Sequence, residues 1–188
     1  MQALDPSDVD STPLCFRLAT PEDAALLAAL ATQVYLETYA GDGVNPARAR
    51  EVQALFSAEA MAVVLAEPRR SIVLASLRGH VDAAIGFAQL MDGAQHALLP
   101  QDGRAGCELE RLYLRQCHTG QGWGRALLRE AETRARERGA QRLWLTAWTG
   151  NARALALYPR CGYRHAGNAV YRFDGAAYQN TLFARELD

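Results

Sequence analysis

The chain has no surplus of charge of either sign: 20 basic residues stand against 21 acidic ones, a formal net charge of −1 over 188 residues. Such a balance recruits neither nucleic acid nor an anionic membrane surface, so any electrostatic steering of a ligand has to be local. Long apolar runs are also missing. The longest, AALLAALATQVYL from Ala24, is broken by Thr32 and Gln33 and falls short of a bilayer span. The N-terminus, MQALDPSDVDSTP, has no basic segment followed by an apolar core and does not read as a secretory signal. Cysteine is scarce: Cys15, Cys107, Cys117 and Cys161 are scattered without metal-ligand spacing, and in the absence of a signal they read as reduced thiols. His80, His96, His118 and His165 show no paired spacing either, so no zinc site is expected. There is no internal repeat and no low-complexity segment. What these absences leave is a cytoplasmic protein with no metal, no nucleic-acid partner and no membrane partner.

What is present suits one domain of ordinary size. Hydrophobic residues make up 49% of the chain, enough to bury a core. A loose arm is expected over residues 1–13, followed by a single domain over 14–188. The run LCFRLAT (14–20) reads as a strand. Thr20, Pro21 and Asp23 then supply an N-cap, a first-turn proline and an acid at the third position of a helix running to about Tyr39. One or two helices are expected over 47–67, before Pro68. Strands follow at 71–77 and 80–92, joined by a hairpin at Arg78 and Gly79, with a loop at 93–106. The rest alternates: a strand ELERLYLR (108–115), a helix over 124–139, a strand QRLWLTAW (141–148), a short helix from Ala152, and closing strands near 163–173 and 177–187.

Between the strand ELERLYLR and the helix GRALLREAETRARERG lies TGQGWGR, residues 119–125. Gly120, Gly122 and Gly124 allow a tight turn that presents bare N–H groups. The positive end of the following helix dipole points at the same spot. This is an anion cradle. A nucleotide P-loop would need Gly-Lys followed by Ser or Thr, whereas Gly124 is followed by Arg125 and Ala126. The dinucleotide fingerprint fails as well, because the spacing is GxGxG and no second βαβ unit follows. Pyrophosphate binding without a metal remains, and Arg125, in the first turn of the helix, can add a charge-assisted contact. The other arginines of that helix interleave with Glu130, Glu132 and Glu137 opposite a stripe of Leu127, Leu128, Ala131 and Ala135, which reads as a solvated amphipathic face.

The order of ELERLYL, GQGWGRALL, LWLTAW and NARALALYPRCGY resembles the GCN5-related N-acetyltransferases over roughly residues 14–187. That family carries Q/R-x-x-G-x-G/A in the loop and a later Asn with Tyr seven residues on. LWLTAWTGN and the tail YRFDGAAYQNTLFARELD look similar to its bacterial polyamine acetyltransferase branch. The resemblance implies an α/β fold with a mixed, mostly antiparallel central sheet of about six to seven strands flanked by helices. Acetyl-CoA would be the co-substrate, held at a splay beside the central strand. Its pantetheine arm would lie along backbone groups of Leu112, Tyr113 and Leu114, and its pyrophosphate against Gly120, Gln121, Gly122, Trp123, Gly124 and Arg125. Thr119 stands where the family loop has Gln or Arg.

Asn151 carries two readings, as N-cap of the helix from Ala152 and, by resemblance, as a cofactor contact. Tyr158 is either a core aromatic or, by resemblance, the acid that protonates the departing thiolate; Pro159 beside it should end or kink the helix. Strand alternation puts Glu108, Glu110, Leu112 and Leu114 on one face and Leu109, Arg111 and Tyr113 on the other. Glu108 or Glu110 is then either an ion-paired strand charge or the base that takes the amine proton, since Thr146 stands where other members carry a Glu. Tyr35, Thr38, Tyr39, Trp148 and Tyr171 are candidate walls of the acceptor pocket, and Glu37 and Asp42 would suit a cationic amine. The expected function is transfer of an acetyl group to a primary amine of a small molecule, polyamine-like, by direct attack, in a monomer or homodimer. The alternatives are a non-catalytic acyl-CoA-binding sensor and an acetyltransferase acting on protein or peptide N-termini.

Overall fold

The computed structural model describes residues 13–173 and 175–187; the expected N-terminal arm, apart from Pro13, lies outside the described residues. Strand β1 (Leu14–Leu18) leads through a 3₁₀ turn at Pro21–Asp23 into helix α1 (Ala24–Tyr39). The cap is the one the sequence implies: the backbone N–H of Thr20 donates to Asp23 Oδ2 at 2.8 Å. Asp23 also takes two hydrogen bonds from Arg17, at 2.7 Å each, which tie the turn back to β1. Two helices follow, α2 (Pro46–Phe56) and α3 (Ala58–Ala66), capped by Asn45 and Ser57, whose side chains accept from Arg48 N and Ala60 N.

Strands β2 (Arg70–Leu77), β3 (Ala84–Asp92) and β4 (Gly106–Leu114), helix α4 (Trp123–Glu137), strand β5 (Arg142–Trp148), helix α5 (Ala152–Arg160) and strands β6 (Arg164–Phe173) and β7 (Ala176–Glu186) complete the chain. The β2–β3 connection is not the two-residue hairpin expected at Arg78 and Gly79. Residues 80–83 turn as well, with His80 N donating to Leu77 O and Ala83 N to His80 O, which delays β3 to Ala84.

The seven strands form one sheet in the order β1-β2-β3-β4-β5-β7-β6. Every neighbouring pair is antiparallel except β4–β5. One face packs α4 and α5 over Val73, Ala88, Leu90, Leu109, Leu143 and Leu145. The other packs α1, α2 and α3 over Ile72, Leu74 and Phe87. This is the expected mixed, mostly antiparallel sheet between helices.

Two irregularities position the site. The β3–β4 register pairs Gln89 with Arg111 and Leu90 with Leu109, so Glu110 has no partner and forms a bulge in β4. The parallel pairing of β4 with β5 covers only Gly106 to Glu108 opposite Arg142 to Trp144. Beyond Glu108 the two strands part, and the β5-facing edge of β4 is left without a strand partner.

Candidate active site

The parting of β4 from β5 opens a cleft of about 680 Å³. Leu109 to Leu114 of β4 line one side, Thr146, Ala147 and Trp148 of β5 the other. The glycine loop and α5 also line it, as do Glu37, Thr38 and Tyr39 of α1, with Gln116 N donating to Glu37 at 2.9 Å.

At the loop end, Gly120 and Gly122 both adopt φ +81°, a conformation that side chains with a Cβ rarely tolerate. Gly122 caps α4 in the left-handed region. Arg125 N and Ala126 N bond back to Gly122 O, but the N–H groups of Gly120 through Gly124 donate to no acceptor among the described residues. Five consecutive free donors at a helix N-terminus fit a pyrophosphate. Thr119 engages its hydroxyl on Gln116 O at 2.7 Å and so shapes the turn. Gln121 is exposed, and Trp123 stacks on His118 with ring centroids 5.3 Å apart; neither side chain lines the cleft. Arg125 does, held by a 3.2 Å bond to Arg160 O.

Asn151 caps α5, its Oδ1 accepting from Ala154 N at 3.0 Å, and lines the cleft at the same time. Tyr158 follows two turns later. Its ring is buried against Tyr163 and Phe183, and burial pushes its hydroxyl above the usual phenol range. The residue borders the cleft, and its hydroxyl bonds to no other described residue. Pro159 neither ends the helix at Tyr158 nor spoils this placement. It sits in the last turn, where Cys161 N closes on Leu157 O and Tyr158 O, and α5 runs through to Arg160.

The bulge corrects the face assignment on β4. Cys107, Leu109 and Leu112 pack toward α4, while Tyr113 packs toward Phe56 and Phe87 and Arg111 lies over the Phe56 ring at 5.3 Å. The extra residue reverses the alternation, so Arg111 and Tyr113, and not Leu112 and Leu114, belong with Glu108. The two carboxylates differ in state. Burial, reinforced by the Glu110 charge, raises Glu108 to about 7. Burial would raise Glu110 too, but hydrogen bonds from Arg70 and Gln89 and the charges of Arg70 and Arg111 outweigh it and hold Glu110 below the usual range. Glu110 lines the cleft; Glu108 stands one step behind it.

Of the expected pocket walls, Thr38, Tyr39 and Trp148 line the cleft, with Tyr39 and Trp148 packed at 5.7 Å. Tyr35 does not. It is wedged between Tyr39 and Phe56, and its hydroxyl donates to Glu51 while accepting from Arg48 Nη1 at 2.7 Å. Tyr171 sits half-exposed on β6 outside the lining and donates to Glu51 Oε1 at 3.2 Å. Glu51 and Arg48 thus tie α2 to both tyrosines, a role no local pattern announces.

The sequence of residues 34–163 matches the Acetyltransferase (GNAT) family, more than half of the chain. An uncharacterised N-acetyltransferase of Mycobacterium tuberculosis is 31% identical over 137 residues, covering 72% of this chain and 80% of that protein. The chain belongs to the GNAT acetyltransferase family. Among solved structures, the PaiA N-acetyltransferase of Thermoplasma acidophilum in complex with coenzyme A superimposes with a TM-score of 0.67 at 21% identity, over 93% of this chain and 99% of that one. NAA60 of Arabidopsis thaliana in complex with acetyl-CoA gives 0.69 at 18% identity, over 93% and 98%. These likenesses establish a GNAT fold, and the family makes the protein an N-acetyltransferase. Among the described residues, no cluster of three or more His, Cys, Asp or Glu is placed to hold a metal, and no helix is long and apolar enough to cross a membrane.

Proposed function

We propose that this GNAT protein transfers the acetyl group of acetyl-CoA to a primary amine of a small molecule by direct attack of the amine on the thioester. The observation that carries this reading is the parting of β4 and β5 after the Glu108–Trp144 pair, directly beside the five free N–H groups of Gly120 to Gly124. An extended arm can add to the free edge of β4 at Leu112 to Leu114 as a further strand, with its pyrophosphate on the loop and Arg125 alongside. A strand N–H near the bulge then serves as donor to the carbonyl oxygen as negative charge develops on it.

Tyr158 supplies the proton to the departing thiolate. Its place on the cleft, and a hydroxyl engaged by no other described residue, support this role over that of a packing residue. Glu108, raised to about 7, is matched to taking a proton near neutral pH, and a water at the cleft edge would connect it to the amine. Glu110, held ionised by Arg70, is the weaker base and the stronger electrostatic anchor for an ammonium. The test is an acetylation assay on an amine panel, following thiol release, with polyamines, amino acids, aminoglycosides and peptide N-termini. Acetylation of a small amine at the expense of acetyl-CoA supports the reading; acetyl-CoA binding with no turnover across the panel supports a sensor.

A further inference from the structure

The side chain in the cleft that the transfer chemistry leaves without a task is Arg111. It follows the bulge residue Glu110 directly, and its Nη1 donates to Gln89 Oε1 at 2.8 Å. Gln89 is 1% exposed, and its amide is oriented by charge at both ends, because its Nε2 donates to Glu110. The planar guanidinium is held over the Phe56 ring, which completes a rigid mount. Yet among the described residues Arg111 has no carboxylate within ion-pair distance. The neighbouring acids are assigned elsewhere: Glu110 to Arg70 through two bonds of 3.0 Å, and Glu51 to Arg48, Tyr35 and Tyr171. A partly buried, pre-oriented guanidinium that feels the charge of Glu110 but makes no ion pair with it can receive a ligand anion, and its fork favours a carboxylate.

We propose that the acceptor carries a carboxylate on the carbon that bears its reactive amine, or on the next one, and that Arg111 holds this carboxylate. The inference rests on the acetyltransferase reading and names its acceptor class. The spacing agrees. Gln89 bonds the Glu110 carboxylate through Nε2 and the Arg111 guanidinium through Oε1 at 2.8 Å, so the two ends of one amide hold an anion and a cation side by side, as the amine and carboxylate of an α- or β-amino acid require. An amine directed at Glu108 and Glu110 therefore brings its carboxylate to Arg111. A polyamine would instead bring a second ammonium against that guanidinium.

The experiment compares matched pairs that differ only in the carboxylate: L-methionine with 3-(methylthio)propylamine, L-lysine with cadaverine, and L-phenylalanine with phenethylamine, each at saturating acetyl-CoA. Within the best-used pair the amino acid should exceed its decarboxylated partner by roughly 10- to 100-fold in kcat/KM, carried mostly by KM. Arg111→Gln should shrink that ratio to within about threefold, while Arg111→Lys keeps part of it. A ratio near one in the wild-type protein overturns the proposal. So does a ratio that survives Arg111→Gln, or a fall of both partners alike with a shifted pH profile, which would make Arg111 a regulator of Glu108. If no amine on the panel is acetylated, the acetyltransferase reading fails, and the site is decided by equilibrium binding to the coenzyme A complex. N-acetylglycine should then bind more tightly than N-methylacetamide, and lose that advantage in Arg111→Gln; equal binding overturns the proposal.

Discussion

Arg70, at the start of β2, grips Glu110 in the β4 bulge through two hydrogen bonds of 3.0 Å, which fix this carboxylate and hold it below the usual carboxylate range. The fixed negative charge helps keep the neighbouring Glu108 protonated up to about pH 7. One strand therefore presents two acids whose proton affinities are pushed in opposite directions, two residues apart.

If Glu108 is the base, kcat/KM should rise as pH climbs through about 7. Glu108→Gln should cost on the order of 10²-fold above that point and little near pH 5, where the wild-type side chain is itself protonated. Steady-state rates from pH 5 to 9 with both proteins decide it, and a constant ratio across that range would transfer the role to Glu110 or to solvent.

The same group predicts a stability signature. Its folded pKa lies above its ordinary value of 4.5, so the native state holds the proton more tightly than the unfolded chain, and the stability this provides is lost as pH rises from 4.5 to about 7. Glu108→Gln escapes that loss. Its Tm relative to wild type should therefore be more favourable at pH 8 than at pH 4.5, and thermal melts showing no such trend would contradict the raised pKa.

Acetyl-CoA should raise the Tm of the wild-type protein by linkage. Gly122→Val places a β-branched side chain at φ +81°, where the space is open but the backbone conformation costs about 1–3 kcal/mol. Either the loop changes shape or α4 loses its cap, and the acetyl-CoA shift should vanish. An undiminished shift would put the cofactor elsewhere.

Tyr158→Phe keeps the ring that packs on Tyr163 and Phe183 and removes only the proton donor. Acetyl-CoA affinity should stay nearly intact while kcat falls by about 10²-fold. A kcat within twofold of wild type would strip Tyr158 of the acid role, and a loss confined to affinity would make it a binding contact.

Away from the cleft, Glu132 of α4 is buried and is held by Arg185 Nη1 at 3.0 and 3.1 Å and by the Tyr163 hydroxyl at 3.0 Å. Arg185→Ala leaves that carboxylate with one neutral partner. Unfolding in denaturant should show a loss of about 3 kcal/mol, the low end for breaking a buried pair because Arg185 is itself 35% exposed. Loss of less than half that would mean that solvent reaches Glu132.

Local signals settled much of this protein. The cap at Thr20, Pro21 and Asp23, the Asn151 cap, the glycine turn before α4 and the amphipathic stripe of α4 each depend on residues within one or two helical turns, so the sequence alone determined them. The alternation along β4 could be followed as far as Glu110. Past it, the tertiary structure decided. The bulge exists because Gln89 of β3 pairs with Arg111 and Leu90 with Leu109, and that register is set by a strand some twenty residues away. One extra residue moved Arg111 from the wrong face into the cleft and separated Glu110, gripped by Arg70, from Glu108. The parting of β4 from β5 is likewise a property of two strands and their neighbours, and no periodicity in either one announces it. Tyr35 and Tyr171 made the same point in reverse: as residue types they suit an amine pocket, but Glu51 and Arg48, brought in by the packing of α2, engage their hydroxyls outside it. Short-range hydrogen bonding and periodicity can be read from the chain; the pairing of distant strands, which sets which side chains meet and which charges are buried, is decided only by the folded whole.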